Sequence, residues 1–197
     1  LQGNILKGHG RHHTINRFLA FDDSKIDLVK KKISEISTGG MITSAAVQFA
    51  MRVAFKKGGP ADTPVAFFCL SHSGYLKLGI TPGQIPADDA FAEGMKARTG
   101  LLDPAPVLWD QPFRGDIDAL LLVGMSTKEG AKAHIDTLTA GFPAAGIATV
   151  VDEPGLAIFN DDENGIEHFG YVDGRSQPLL LKSDVENEAN QDGIDVW

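Results

Sequence analysis

The 197-residue chain carries 18 Lys and Arg against 26 Asp and Glu, a formal net charge of −8, with 43% hydrophobic and 22% charged residues. This is ordinary globular composition at the length of a single domain. With no basic excess to neutralise phosphates, a general nucleic-acid role is excluded. No apolar run approaches the ~20 residues a membrane-spanning helix needs.

In chain order, Asn16–Phe21 reads as a first strand stopped by Asp22-Asp23, with Ser24 placed to cap a helix. Ile26, Val29, Ile33 and Ile36 recur at helical spacing until Gly39-Gly40, and Lys30, Lys31 and Lys32 fall on that helix as a solvated face. Ile42, Ala46, Phe49 and Val53 continue the period and predict a second helical piece. Val65–Leu70 is a continuous apolar run of strand length, and its Cys69 reads as a buried small hydrophobe rather than a reactive thiol. One cysteine precludes an intrachain disulfide and suits a reducing compartment, so a cytoplasmic location is the expectation.

A short helix is expected around Ser73–Leu78, and another over Asp88–Thr99, interrupted in composition by Gly94. Ile117–Val123 is the clearest buried strand. Ser126 and Glu129 have capping-box spacing and open a helix that Gly141 and Pro143 close. Ile147–Val151 and Leu156–Phe159 read as strand pieces separated by a turn or bulge at Asp152–Gly155. The order strand, helix, strand, strand, helix, strand predicts an α+β fold: a ferredoxin-like antiparallel sheet with helices packed on one face, Val65–Leu70 and Ile117–Val123 among its inner strands. A doubly wound α/β sheet is the alternative, but both phosphate-binding glycine motifs are missing. Residues 1–165 are expected to form this domain, and 166–197 a separate motif segment and linker.

The residues with chemical promise are Ile166-Glu167-His168-Phe169-Gly170-Tyr171-Val172-Asp173-Gly174-Arg175-Ser176-Gln177-Pro178. Gly170 and Gly174 flank a carboxylate with residues that let backbone approach a flat ligand closely. Asp-Gly alone is an ordinary turn signal. The whole block, however, resembles the G-x-x-D-G signature of dye-decolourising (DyP-type) haem peroxidases. The opening Leu1-Gln2-Gly3-Asn4-Ile5-Leu6-Lys7-Gly8 is similar to that family's first segment. Val65–Phe68 leading to Ser73-Gly74-Tyr75 and Leu78-Gly79 resembles its second strand and turn, and Phe91–Met95 with Arg98 and Leu102-Asp103 its middle helix.

The resemblance implies haem b as cofactor, hydrogen peroxide as oxidant and a dye or other bulky electron donor as reducing substrate. It makes Asp173 the distal acid–base residue. By the same analogy Gly170, Val172, Gly174, Arg175, Ser176 and Gln177 line the haem edge. The family's iron ligand belongs to a second, C-terminal half for which these residues offer no match, so no metal ligand is assigned here. Of the six histidines, His9, His12 and His13 read as a solvated basic patch, and His72 and His134 as structural. Arg175 reads equally well as a surface charge. The expected partner is therefore that C-terminal half, with self-association through the surface left open. The contrasting reading is a stand-alone ferredoxin-like binding or assembly module without catalytic activity.

Overall fold

The computed structural model describes residues 1–60, 62–172 and 179–186. Its centre is a four-stranded antiparallel sheet in the order β2-β3-β1-β4, made by β1 (His13–Phe21), β2 (Val65–Leu70), β3 (Ala119–Met125) and β4 (Ile147–Leu156). Helices α1 (Ile26–Thr38) and α5 (Lys128–Thr139) follow β1 and β3. This is the ferredoxin-like arrangement. Between β2 and β3 come α3 (His72–Lys77), α4 (Asp89–Glu93) and a run of 3-10 turns, and α2 (Ala45–Lys56) precedes β2.

Strand alternation explains the core. Ile15, Leu19 and Phe21 of β1 and Ala119, Leu121 and Val123 of β3 point to the helical face, where they meet Val29 and Ile36 of α1 and Ala131 and Ile135 of α5. Arg17 shares that face and is 6% exposed. Its guanidinium is satisfied there: Nε and Nη2 donate to the Asp152 carboxylate at 2.7 and 2.6 Å, Nη2 to Asp136 at 2.9 Å, and Nη1 to the Thr139 hydroxyl at 2.5 Å. A buried guanidinium survives because each of its three nitrogens finds oxygen.

Several sequence expectations are corrected. β2 is an edge strand; β1 takes the inner place beside β3. The apolar character of β2 has another cause. Ala66, Phe68 and Leu70 face the core, while Phe67 on the opposite face stacks on His9 at 6.0 Å. Its outer edge is blunted by Thr43, which donates to and accepts from Ala66, and by Gln2, whose side chain accepts from the Phe68 amide. Cys69 stands exposed on the open side of β2 rather than buried. Such desolvation as it feels raises the thiol pKa, so thiolate stays scarce.

β1 begins three residues earlier than the apolar pattern indicated, and β3 starts at Ala119 rather than Ile117. β4 is continuous through Asp152–Gly155; the bulge sits earlier, where Val151 pairs with Phe18 and Thr149 with Leu19, leaving Val150 as the extra residue. Pro154 is tolerated because β4 is an edge. The helix expected over Asp88–Thr99 stops at Glu93, since Gly94 turns to φ +69°. α2 forms, but none of its residues is buried, so its apolar period faces something other than the core.

The caps also shift. Asp22, not Ser24, accepts at the start of the turn before α1, and Thr127, not Ser126, caps α5 by accepting from the Gly130 amide at 3.1 Å. Thr127→Ala is expected to cost about 1 kcal/mol, read as a lower midpoint in urea with unchanged slope; Ser126→Ala should cost clearly less.

Candidate functional site

After β4 the chain forms a small hairpin, β5 (Ile158–Phe159) against β6 (Gly165–Ile166). Asn160 organises its turn, its side-chain oxygen accepting from the amides of Asp162 and Asn164 at 3.2 and 2.9 Å. Ile166 bridges Val172, and between them the Glu167 amide donates to the Tyr171 carbonyl at 2.8 Å while the Gly170 amide donates to the Glu167 carbonyl at 2.9 Å. That pattern is a three-residue hairpin loop, which needs a left-handed residue at its last position. Gly170 supplies it with φ +88°. The turn therefore gives Gly170 a local reason to be glycine.

The loop presents its aromatic side chains to the outside. Phe169 is 82% and Tyr171 73% exposed; His168 meets the Phe169 ring edge-on at 5.6 Å. A Cβ placed on Gly170 would touch nothing within 4 Å, so the backbone there is open to a flat group. Val172 is half-buried. Asp173, Gly174, Arg175, Ser176 and Gln177 lie outside the described residues, so of the expected site only Gly170 and Val172 are placed.

The remaining histidines are scattered. His9 is partly buried, its Nδ1 accepting from the Arg11 amide at 2.9 Å. Burial, then the Arg11 charge, hold its pKa below the ordinary value, so it is neutral with its proton on Nε2. His12 meets the edge of Phe159, and His72 opens α3 with its ring edge against Phe91. His134, on α5, is pushed down by burial. Among the described residues no three His, Cys, Asp or Glu come together as a metal-binding group, and no helix is long and apolar enough to cross a membrane.

The second face of the sheet is the other open surface. Register places Phe18 of β1 and Leu120 and Leu122 of β3 there, all only half-buried, beside exposed Cys69. Phe113 covers Phe18 edge-on at 5.4 Å; α1 and α5 leave this face uncovered.

Comparison with known proteins places this architecture. No family model matches the chain. Over 199 aligned residues it is 37% identical to the multifunctional dye peroxidase DyP2 of an Amycolatopsis species, covering 100% of this chain and 41% of that protein. The solved DyP2 structure superposes with a TM-score of 0.83. The chain is a relative of the DyP-type peroxidases.

The DyP-type peroxidase of an Anabaena species superposes with a TM-score of 0.87 at 36% identity, over 96% of this chain and 41% of that one. A dye-decolorizing peroxidase of Mycena epipterygia is 26% identical over 91% of this chain and 32% of its own length. The chain thus spans about two-fifths or less of the relatives it matches, as an N-terminal half would.

One surface escaped sequence reasoning. A groove between α2 and the segment Gly3–His12 gathers residues far apart in sequence, including Leu181. The only hint in the sequence was the apolar period of α2, which reads equally well as a core-facing stripe.

Proposed function

We propose that this chain is the N-terminal half of a haem peroxidase that uses hydrogen peroxide to oxidise dyes or other bulky electron donors, with Asp173 as its distal acid–base residue. The reading is carried by one conjunction: the Gly170-Tyr171-Val172-Asp173-Gly174 block occurs in a chain that follows DyP2 over its full length. Residues 1–165 are the ferredoxin-like domain, and 166–197 the haem-facing segment leading toward the C-terminal half.

Haem b, held mainly by that C-terminal half, supplies the redox-active iron and the electrons for reducing peroxide. The open backbone at Gly170 and the exposed aromatic strip beside it are compatible with a flat macrocycle. Gly170, Val172, Gly174, Arg175, Ser176 and Gln177 line its edge. The Asp173 carboxylate takes a proton from one peroxide oxygen and returns it to the other, so that the departing oxygen leaves as water. Water must be largely kept from this carboxylate for its pKa to suit both transfers.

The half-open sheet face bearing Phe18, Leu120 and Leu122 and the exposed Phe169 and Tyr171 suit burial against the C-terminal half. Where that half is absent, the same surface promotes self-association. With its single cysteine, the protein suits a cytoplasmic setting.

The test is an absorption spectrum of the chain titrated with haemin, followed by dye oxidation with hydrogen peroxide. The chain alone is expected to take up no stoichiometric haem and to show no turnover, because the axial donor lies elsewhere. Supplying the C-terminal half should restore both. Stoichiometric haem with dye oxidation by the chain alone would defeat the proposal of two halves. A stable colourless oligomer that ignores the C-terminal half would favour a binding or assembly module.

A further inference from the structure

α2 packs against the N-terminal segment rather than the core, and the contact is built, not incidental. Gln48 donates to the carbonyls of Lys7 and Gly8 at 2.8 and 3.1 Å and accepts from the Asn4 amide at 2.6 Å. Gly3 must be glycine for this approach, since a Cβ there would lie 2.4 Å from the Gln48 side chain and 2.7 Å from the Phe67 ring. Across the mouth, Asp184 accepts from Lys7 at 2.6 Å and pairs with Arg52 at 3.3 Å. These ties hold open a cavity of about 480 Å³, within the range of small-molecule sites.

Its walls have two kinds of surface. Leu6, Phe49, Met51 and Phe55 are apolar, joined by the rings of His9 and His12. Lys7, Arg11, Arg52 and Lys56 also line it, and among the described residues no carboxylate belongs to its walls, Asp184 standing at the mouth. Asp184 answers Lys7 and Arg52, and the charge of Asp62 acts on Arg11. Among the described residues Lys56 has no ion pair. In a chain of net charge −8, an apolar cavity rimmed by cations is complementary to a ligand of opposite charge and mixed character.

We propose that this cavity is a binding site for an aromatic organic anion, a flat apolar body bearing one carboxylate or sulfonate. Phe49 and Phe55 cover the ring, which aromatic side chains favour over a flexible alkyl chain. The anionic group lies toward Lys56 and Arg11. His9, being neutral, contributes ring surface rather than charge. The site takes Leu181 and Asp184 from the segment after Gly170–Pro178 but does not rest on the peroxidase reading.

The probe is 1-naphthalenesulfonate titrated calorimetrically into the 197-residue chain. One site is expected, weakened by salt. Lys56→Glu and Phe49→Ala, both at exposed positions that the fold does not depend on, should each weaken binding by about tenfold. The cation 1-naphthylmethylammonium, with the same ring, should not bind measurably. Equal binding of this cation, indifference to both substitutions, or no binding at all would overturn the proposal. Equal binding of octanoate would overturn the aromatic assignment. Competitive loss of binding on adding the C-terminal half, or on raising the protein concentration, would make the groove an interface instead.

Discussion

Asp173→Asn in the complete, haem-loaded peroxidase is expected to slow the peroxide-dependent change of the haem spectrum by roughly 10²-fold or more, the scale of lost general acid–base catalysis. The substitution keeps size and hydrogen-bonding capacity but removes the proton-accepting carboxylate. Haem should still bind, because the proposed function assigns the axial ligand to the other half, so the Soret band should survive. A residual rate is expected where a neighbouring cation supports peroxide cleavage by charge. The competing view makes Asp173 a turn residue, since Asp-Gly is a common turn pair and Asn fits the same backbone. That view gains something from Gly170, whose left-handed conformation the hairpin loop alone explains. The two accounts part in stopped-flow spectra at matched haem content. Unchanged kinetics with hydrogen peroxide would remove Asp173 from the chemistry.

Most of the fold could be read from local pattern, and its failures have physical causes. The strand at Val65–Leu70 was evident because six successive apolar residues fit nothing else of that length. Its edge position was not, because burial on both faces looks the same whether a neighbouring strand or the N-terminal segment provides the cover. Arg17 was invisible as a core residue. A charge inside a strand reads as solvent-facing, and its partners Asp136 and Asp152 are 119 and 135 residues away. Gly94 ended a helix that periodicity would have extended, because its left-handed backbone outweighs the propensity of the residues around it. The site divides along the same line. Asp173 is proposed only through a resemblance carried by a whole block of residues, since no spacing within it demands catalysis. The cationic groove could not be found at all, because its walls come from the first turns of the chain, from α2 and from Leu181, which only folding brings together.

Asp118→Ala is expected to destabilise the domain by about 3 kcal/mol, toward the lower end for breaking a buried ion pair. Asp118 is fully buried at the entrance to β3. Its carboxylate accepts from the Phe21 amide at 2.8 Å, the Ser73 hydroxyl at 2.9 Å and the Lys77 ammonium at 2.9 Å. Its carbonyl accepts from the Ser71 amide at 3.0 Å, and a Cβ on Gly74 would come within 2.0 Å of that oxygen. One side chain thus ties the end of β1, the start of β3 and the first turn of α3. Removing it strands a buried amide and a lysine whose side chain keeps only 24% exposure. That residual exposure lets water screen the stranded ammonium and limits the loss. Burial works against the Lys77 ammonium, but the hydrogen bond and charge of Asp118 outweigh it and hold its pKa above the ordinary lysine value. A raised lysine pKa contributes stability that is complete below the unfolded value, so the Lys77 contribution is at full strength at neutral pH and is lost as pH rises through its folded value. Lys77→Met should cost less than Asp118→Ala, because two neutral donors still satisfy the carboxylate. The double variant should cost less than the sum of the singles, since the second change removes a charge that the first left unpaired. Urea unfolding of all four proteins at pH 7 measures each term. Strict additivity would mean that Asp118 acts through the Phe21 and Ser73 hydrogen bonds alone, with Lys77 no more than a surface charge.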